Sequence, residues 1–315
     1  MSMAKGIRSG GYFNINEAFR FKKNVIFDQI QNPLGYTYFV RNDGADQGGR
    51  SGLTTAEAFK TLAYANSRAA AWDKIIVLPA TDCSAYLETE LPINITKNGL
   101  KILGLQTHER QWGSPAIHTH ATTTLITVNA HQVEIGHLSL HHQGAGVSID
   151  WGTTNNYWRG HLHDCYFGGN SAALTAVIWG NTTAAGVGSG ATIDSPCGCI
   201  ERCFFMDYVT RAIFWNTGYG SVIRDCTFAI TAAAGIGIEY YTDGTSRPHS
   251  FIVDNRFSAV DGTNAYGIKV TNTPTAGYLF IDGNSFNNFA DAAHCLSKHD
   301  GYLGANYCNG VLITT

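Results

Sequence analysis

Six short segments of one pattern recur from residue 135 onward, and they limit what this chain can fold into. They are Ile135–Leu140 (IGHLSL), Leu162–Phe167 (LHDCYF), Ile200–Phe205 (IERCFF), Ile223–Phe228 (IRDCTF), Ile252–Phe257 (IVDNRF) and Ile281–Phe286 (IDGNSF). Each opens on an aliphatic residue and closes on an apolar one. Their starts lie 27, 38, 23, 29 and 29 residues apart. A unit of that length with one apolar face buries it by stacking on the next unit. The fourth position reads Leu138, Cys165, Cys203, Cys226, Asn255, Asn284. Stacked, that is a column of small thiols running into an asparagine ladder, in which each amide bonds to the next and to the turn backbone.

A second strand type follows: Gly146–Ile149, Ala176–Trp179, Ala212–Trp215, Gly237–Tyr240, Gly267–Val270 and Ala293–Leu296. Alternation predicts one inward column of Val147, Val177, Ile213, Ile238 and Ile268. A second inward column is Ile149, Trp179, Trp215, Tyr240, Val270 and Leu296. The predicted fold is all-β, a single-stranded right-handed parallel β-helix over 36–315. Residues 54–72 (TTAEAFKTLAYANSRAAAW) read as an N-terminal capping helix with Thr54 or Thr55 at its start. Residues 1–35 have weak periodicity and read as an arm, for attachment or as an interface.

Composition narrows function. Only 14% of residues are charged, the net charge is −3, and 44% are hydrophobic. That excludes disorder and gives no basic stripe for nucleic acid. No run of eighteen apolar residues exists, so no membrane span is expected. Nor does the N-terminus show a signal-peptide pattern. The expectation is folding in a reducing cytoplasm, with the eight cysteines free and buried.

The chain resembles the pectate-lyase-like superfamily of right-handed β-helices over roughly residues 36–310. The resemblance is carried by Tyr38–Gly44 (YFVRNDG), by Ala58–Ala65 (AFKTLAYA) and by the coil signature at Ile252 and Ile281. The superfamily includes polysaccharide lyases, glycoside hydrolases, bacteriophage tailspikes and other virion spikes or fibres. None of its lyase or hydrolase active-site motifs is matched here residue by residue. What the resemblance implies first is a phage virion spike or fibre. It would be a homotrimer made in the host cytoplasm, joined through its arm to other virion proteins, and binding host-surface glycan. The alternative is a polysaccharide-degrading enzyme, with an extracellular location.

Function in a solenoid sits on outward side chains and long loops. By parity His161 and His163 point outward on one strand, Cys197, Cys199 and Glu201 on the next, Val222 and Arg224 on the third. His163, Glu201 and Arg224 are then a ladder of acid–base groups, read either as a glycan-facing cluster or as an ordinary solvated ion pair. Glu239 is outward on the second strand type, with Asp243 in the loop after it. Trp151, Tyr157, Trp158 and Tyr241 belong to long loops. They are either sugar platforms or packing against the barrel or a neighbouring subunit. The histidine and cysteine pairs raise the question of zinc. A flat sheet places four ligands in a plane, so the expectation is no metal and no cofactor. Outward apolar residues, among them Phe214, Val222, Phe251, Val253 and Phe280, suggest the trimer interface.

Overall fold

A computed structural model describes residues 35–47, 49–79, 86–88, 90–105, 115–151, 159–169, 175–180, 198–216, 220–241, 250–271, 279–297 and 302–313. Among these, the strands form three sheets of ten, ten and seven strands. One coil runs from Gly160–His163 in the first sheet to Tyr166–Gly168 in the second and Thr175–Trp179 in the third. The chain then re-enters the first sheet at Gly198–Glu201. Each strand pairs in parallel with its equivalent one coil on. The exception is the antiparallel hairpin Tyr307–Cys308 with Val311–Leu312. Three parallel sheets joined this way are the arrangement of a right-handed parallel β-helix.

The corner between the first and second sheets explains the six-residue pattern. Its third position is left-handed throughout: His137, Asp164, Arg202, Asp225 and Asp254 have φ of 52–57°, and Gly283 has 69°. Aspartate and glycine tolerate that region best, which accounts for four of the six. The next residue is buried and fastens the corner. Cys165, Cys203 and Cys226 fill it as free thiols. Asn255 and Asn284 fill it further on, and Cys226 N–H donates to Asn255 Oδ1 at 2.9 Å. The ladder extends to Asn306, which accepts from Asn284 Nδ2 at 2.9 Å. Asn306 lies outside the recurring segments because the last coil is shortened.

The sixth position makes the spine of the core. Phe167, Phe205, Phe228, Phe257 and Phe286 stack in sequence with ring centroids 4.6–4.9 Å apart and planes within 12°. On the third sheet a second aromatic column runs Trp151, Trp179, Trp215, Tyr240. Opposite these indoles the first sheet supplies glycine. A Cβ on Gly160 would stand 2.5 Å from Trp151, and one on Gly198 2.1 Å from Trp179. Large side chains in one column demand small ones across the coil.

Three expectations are corrected. The register of the third sheet pairs Ile149, not Val147, with Val177, and Trp151, not Ile149, with Trp179. Leu296 bridges to Ile268 rather than following Val270. Both slips are of two residues, and a period-two pattern cannot detect them. Trp151 is therefore not a loop residue offered to sugar. It is 1% exposed and stacked on Trp179 at 4.5 Å.

The helix expected over 54–72 is broken. Thr55–Glu57 is a 3-10 turn capped by Thr54, and the only α-helix within the span is Leu62–Arg68 (α1), capped by Thr61. Between them Phe59 bridges to Val40 as an added strand residue. Asp46 holds the break open by accepting from the N–H groups of Lys60 and Thr61. At the head of α1, Glu88 accepts from Leu62 N–H at 2.7 Å. Burial raises the Glu88 pKa to about 7, against the lowering effect of the Leu62 and Ala63 amides.

The cysteines are not all free. Cys295, in the short helix Ala292–Cys295 (α2), is disulfide-bonded to Cys308 on the last coil. These two stand beside each other at the end of the core rather than in the thiol column, so the stacking pattern held no sign of them.

Candidate functional site

The outer face of the first sheet gathers titratable groups from five consecutive strands. The register aligns Lys101, Glu134, His161, Cys199 and Val222 in one row across the strands. It aligns Gly136, His163, Glu201 and Arg224 in the next. A parallel sheet brings such neighbours within about 5 Å, so the side chains pair across strands. Gly136 is part of the site by absence: a Cβ there would lie 2.4 Å from the His163 ring.

Three carboxylates sit low on this face and are held by bases. Glu201 receives Arg224 at 2.5 Å, Arg202 at 2.6 Å and His161 Nε2 at 3.1 Å. Asp164 is gripped by both forks of Arg202 at 2.8 Å and faces His163 Nδ1 at 2.7 Å. Glu134 pairs with Lys101 at 2.5 Å, and its other oxygen lies 3.3 Å from His163 Nε2. For Glu201, burial works to raise the pKa and is outweighed by Arg224, Arg202 and His161, which bring it down to about 2. Glu134 and Asp164 are lowered in the same way. Burial again opposes, and Lys101 and His163 prevail for the first, Arg202 and His163 for the second. Burial, then the charge on Glu201, pushes the Cys199 thiol up to about 11. All three acids are thus ionised near neutrality, and the thiol is not.

The tips that reach solvent carry the opposite sign. Lys101, Arg202 and Arg224 leave 46–50% of their side chains exposed, and His161 leaves 38%. Glu201 leaves 7%, Glu134 23% and Asp164 25%. A ligand approaching this face meets guanidinium, ammonium and imidazole groups, with the carboxylates beneath them.

Further along the same face the row continues as Phe251, Phe280 and Tyr302. Phe251 and Phe280 stack at 5.0 Å within 13°, which turns ring edges rather than faces outward. The stacking ends at Tyr302, tilted by 46° and 58% exposed.

The structure thus brings His163, Glu201 and Arg224 together. It adds Lys101, Glu134, His137, His161, Asp164, Cys199 and Arg202 around them. Asp164 and Arg202 belong to the left-handed corner column at the third position of the recurring segments. Their part in the site depends on an αL backbone that aims both side chains back over the sheet. Glu239 and Tyr241 stand elsewhere, on the third sheet. Glu239 is ion-paired with Arg211 and accepts from Thr271 at 3.1 Å, and Tyr241 lies half-buried by Phe214. Tyr157, Trp158, Asp243 and Cys197 lie outside the described residues. Among the described residues no helix is long and apolar enough to cross a membrane.

No protein-family model and no curated protein matches the sequence. Solved structures do. A rhamnogalacturonan lyase matches with a TM-score of 0.57 at 12% identity, over 89% of this chain and 83% of that one. The fold is a parallel β-helix. Pectin methylesterase PemA from Erwinia chrysanthemi matches with a TM-score of 0.50, also at 12% identity, over 89% and 91% of the two chains. The tailspike protein 2 of bacteriophage CBA120 is more distant, with a TM-score of 0.30 at 11% identity over 74% of this chain and 42% of that one, which carries no argument. The expected likeness to virion spikes therefore draws no specific support, and the better matches are to carbohydrate-active enzymes. At these identities the likeness speaks for the fold alone.

Proposed function

We propose that the protein acts on an anionic polysaccharide laid along the outer face of the first sheet. The observation that carries this reading is the inverted layering of the site: the cationic tips of Lys101, Arg202 and Arg224 over less exposed carboxylates. Sugar carboxylates meet exposed guanidinium forks there, and the forks are already oriented by Glu201 and Asp164. A coil repeat of about 4.8 Å sets Arg202 and Arg224 on neighbouring coils, an interval that suits adjacent charged sugar units.

The three carboxylates of this face do not suit two-carboxylate hydrolysis. That mechanism needs one carboxyl group kept protonated near neutrality, and all three acids here are lowered instead. The reacting centre of the proposal is the His161–His163 pair, whose rings lie 4.4 Å apart. Both similar enzymes above TM-score 0.5 or at it are named for acting on pectic or rhamnogalacturonan polymers, which supports a glycan role and an extracellular place of action.

The test is a panel of uronate-rich, sulfated and neutral polysaccharides, with binding followed by affinity electrophoresis and cleavage by size-exclusion chromatography. Binding, with or without cleavage, confined to the anionic members supports the reading. Preference for neutral glycans, or no binding to any member, overturns it.

A further inference from the structure

We infer that Glu134, His161 and His163 form a binding site for one divalent transition metal ion. Two histidines and one carboxylate, on two adjacent strands, each offer a ligand atom within 4.8 Å of the others. The three lie on one side of the sheet, so they occupy one face of a coordination sphere and leave the solvent side open. This removes the objection that a sheet offers only a planar square. Three protein ligands with open positions are what a metal of the zinc, manganese or iron type takes at a reactive centre.

The second observation concerns the other nitrogens. His163 Nδ1 lies 2.7 Å from Asp164, and His161 Nε2 lies 3.1 Å from Glu201. An ionised carboxylate only accepts, so a ring that donates on that side and is otherwise neutral presents its lone pair at the other nitrogen, His163 Nε2 or His161 Nδ1. Carboxylate-buttressed imidazole is the usual outer shell of a metal-ligating histidine. Here both rings have it, and the carboxylates are themselves held by Arg202 and Arg224.

The third observation is the separation between two of the ligand atoms. His163 Nε2 stands 3.3 Å from Glu134 Oε1 and donates to it when that nitrogen is protonated. A metal ion bound by both atoms takes the place of that proton. The separation equals the edge of a coordination polyhedron built on bonds of about 2.1 Å, roughly 3.0–3.4 Å. Lys101 sits on the other oxygen of Glu134, so it leaves Oε1 to the metal while competing with it by charge. Cys199 belongs to a different grouping, with His161 and Glu201, and is not among the three ligands.

The site shares its place with the proposed polysaccharide face, but metal binding is read without polysaccharide, so either reading can fail alone. The experiment uses the full chain, free of any histidine tag and stripped with chelator, then dialysed against Zn²⁺ or Co²⁺. One zinc per chain is expected, with cobalt giving visible d–d absorption. His161→Ala, His163→Ala and Glu134→Gln should each weaken binding at least tenfold. Asp164→Asn should weaken it about 10–100-fold through the ring it orients. Lys101→Met should tighten it, and Cys199→Ser should leave it unchanged. Because His163 is buried, the half-exposed His161 serves as the variant that preserves the fold, checked by its thermal midpoint. No stoichiometric zinc, or zinc retained by folded His161→Ala and Glu134→Gln, overturns the inference. Loss of zinc in Cys199→Ser overturns the assignment of these three ligands.

Discussion

Asn255 donates both its backbone N–H and its side-chain Nδ2 to one oxygen, Oδ1 of Asn284, each at 3.0 Å. Asn284 in turn donates to the carbonyls of Ile252 and Asp282 and to Asn306. Both asparagines are fully buried. The corner between the sheets is thus closed by amides that leave no donor or acceptor idle.

Asn284→Ala should therefore cost more than its size suggests. It strands two donors of Asn255 in the core, and a buried unsatisfied group costs about 1–3 kcal/mol. The expected loss is about 3 kcal/mol in urea unfolding. Cys203→Ala, at the same position three coils earlier, removes only a thiol and should cost roughly 1–2 kcal/mol. Equal losses at the two positions would show that the ladder is held by packing alone.

Gly198→Ala should destabilise as well. Its Cβ would meet the Trp179 indole at 2.1 Å, and that ring is fixed between Trp151 and Trp215. Overpacking of this kind costs about 1–3 kcal/mol. The double variant Gly198→Ala with Trp179→Leu should recover part of the loss, measured as a thermal midpoint above that of Gly198→Ala. No recovery would place the strain elsewhere.

The solenoid was legible because its signal repeats. Ile200, Cys203 and Phe205 mark one coil, and five other coils set their register, so parity on the first sheet was secure. It put His163, Glu201 and Arg224 at one level. The third sheet had less distinctive strand ends. Trp151 was lost there to a slip of two residues, which preserves alternation. Helix α1 was overextended because Phe59 satisfies a helical stripe and a strand bridge equally, and the deciding contact, Val40, is distant in sequence. Asp164 and Arg202 are not among the residues that parity points outward. They are turn residues, and their reach back over the sheet follows from a backbone angle that composition does not encode.

Glu201 gives the stability of the protein an acid limb. Its folded pKa is about 2, below the usual 4.5. Its contribution is therefore full above about pH 4.5 and is lost as the pH falls toward 2. Glu134 and Asp164, also lowered, add to the same limb. Thermal midpoints between pH 6 and pH 2 should fall less steeply for Glu201→Gln than for the wild type, although the variant starts lower. Parallel curves would mean that the three carboxylates titrate alike folded and unfolded.

Arg224→Gln separates the two duties of the cationic rim. The guanidinium is half exposed, so its pair with Glu201 contributes little to stability, about 0–1 kcal/mol. Toward an anionic sugar it offers a charged hydrogen bond, with a net value of about 1.5 kcal/mol or more. The variant should thus melt close to the wild type yet bind the preferred acidic polysaccharide about tenfold more weakly. Charge screening adds a second mark. Wild-type affinity should fall as ionic strength rises from 0.01 M to 0.15 M, where the Debye length shrinks from about 30 Å to about 8 Å. The fall should be shallower for Arg224→Gln, and shallower again with Arg202→Gln added, since each loses one contact that salt can screen. Unchanged affinity with an unchanged salt slope would take these arginines out of the binding face and leave them as props for Glu201 and Asp164.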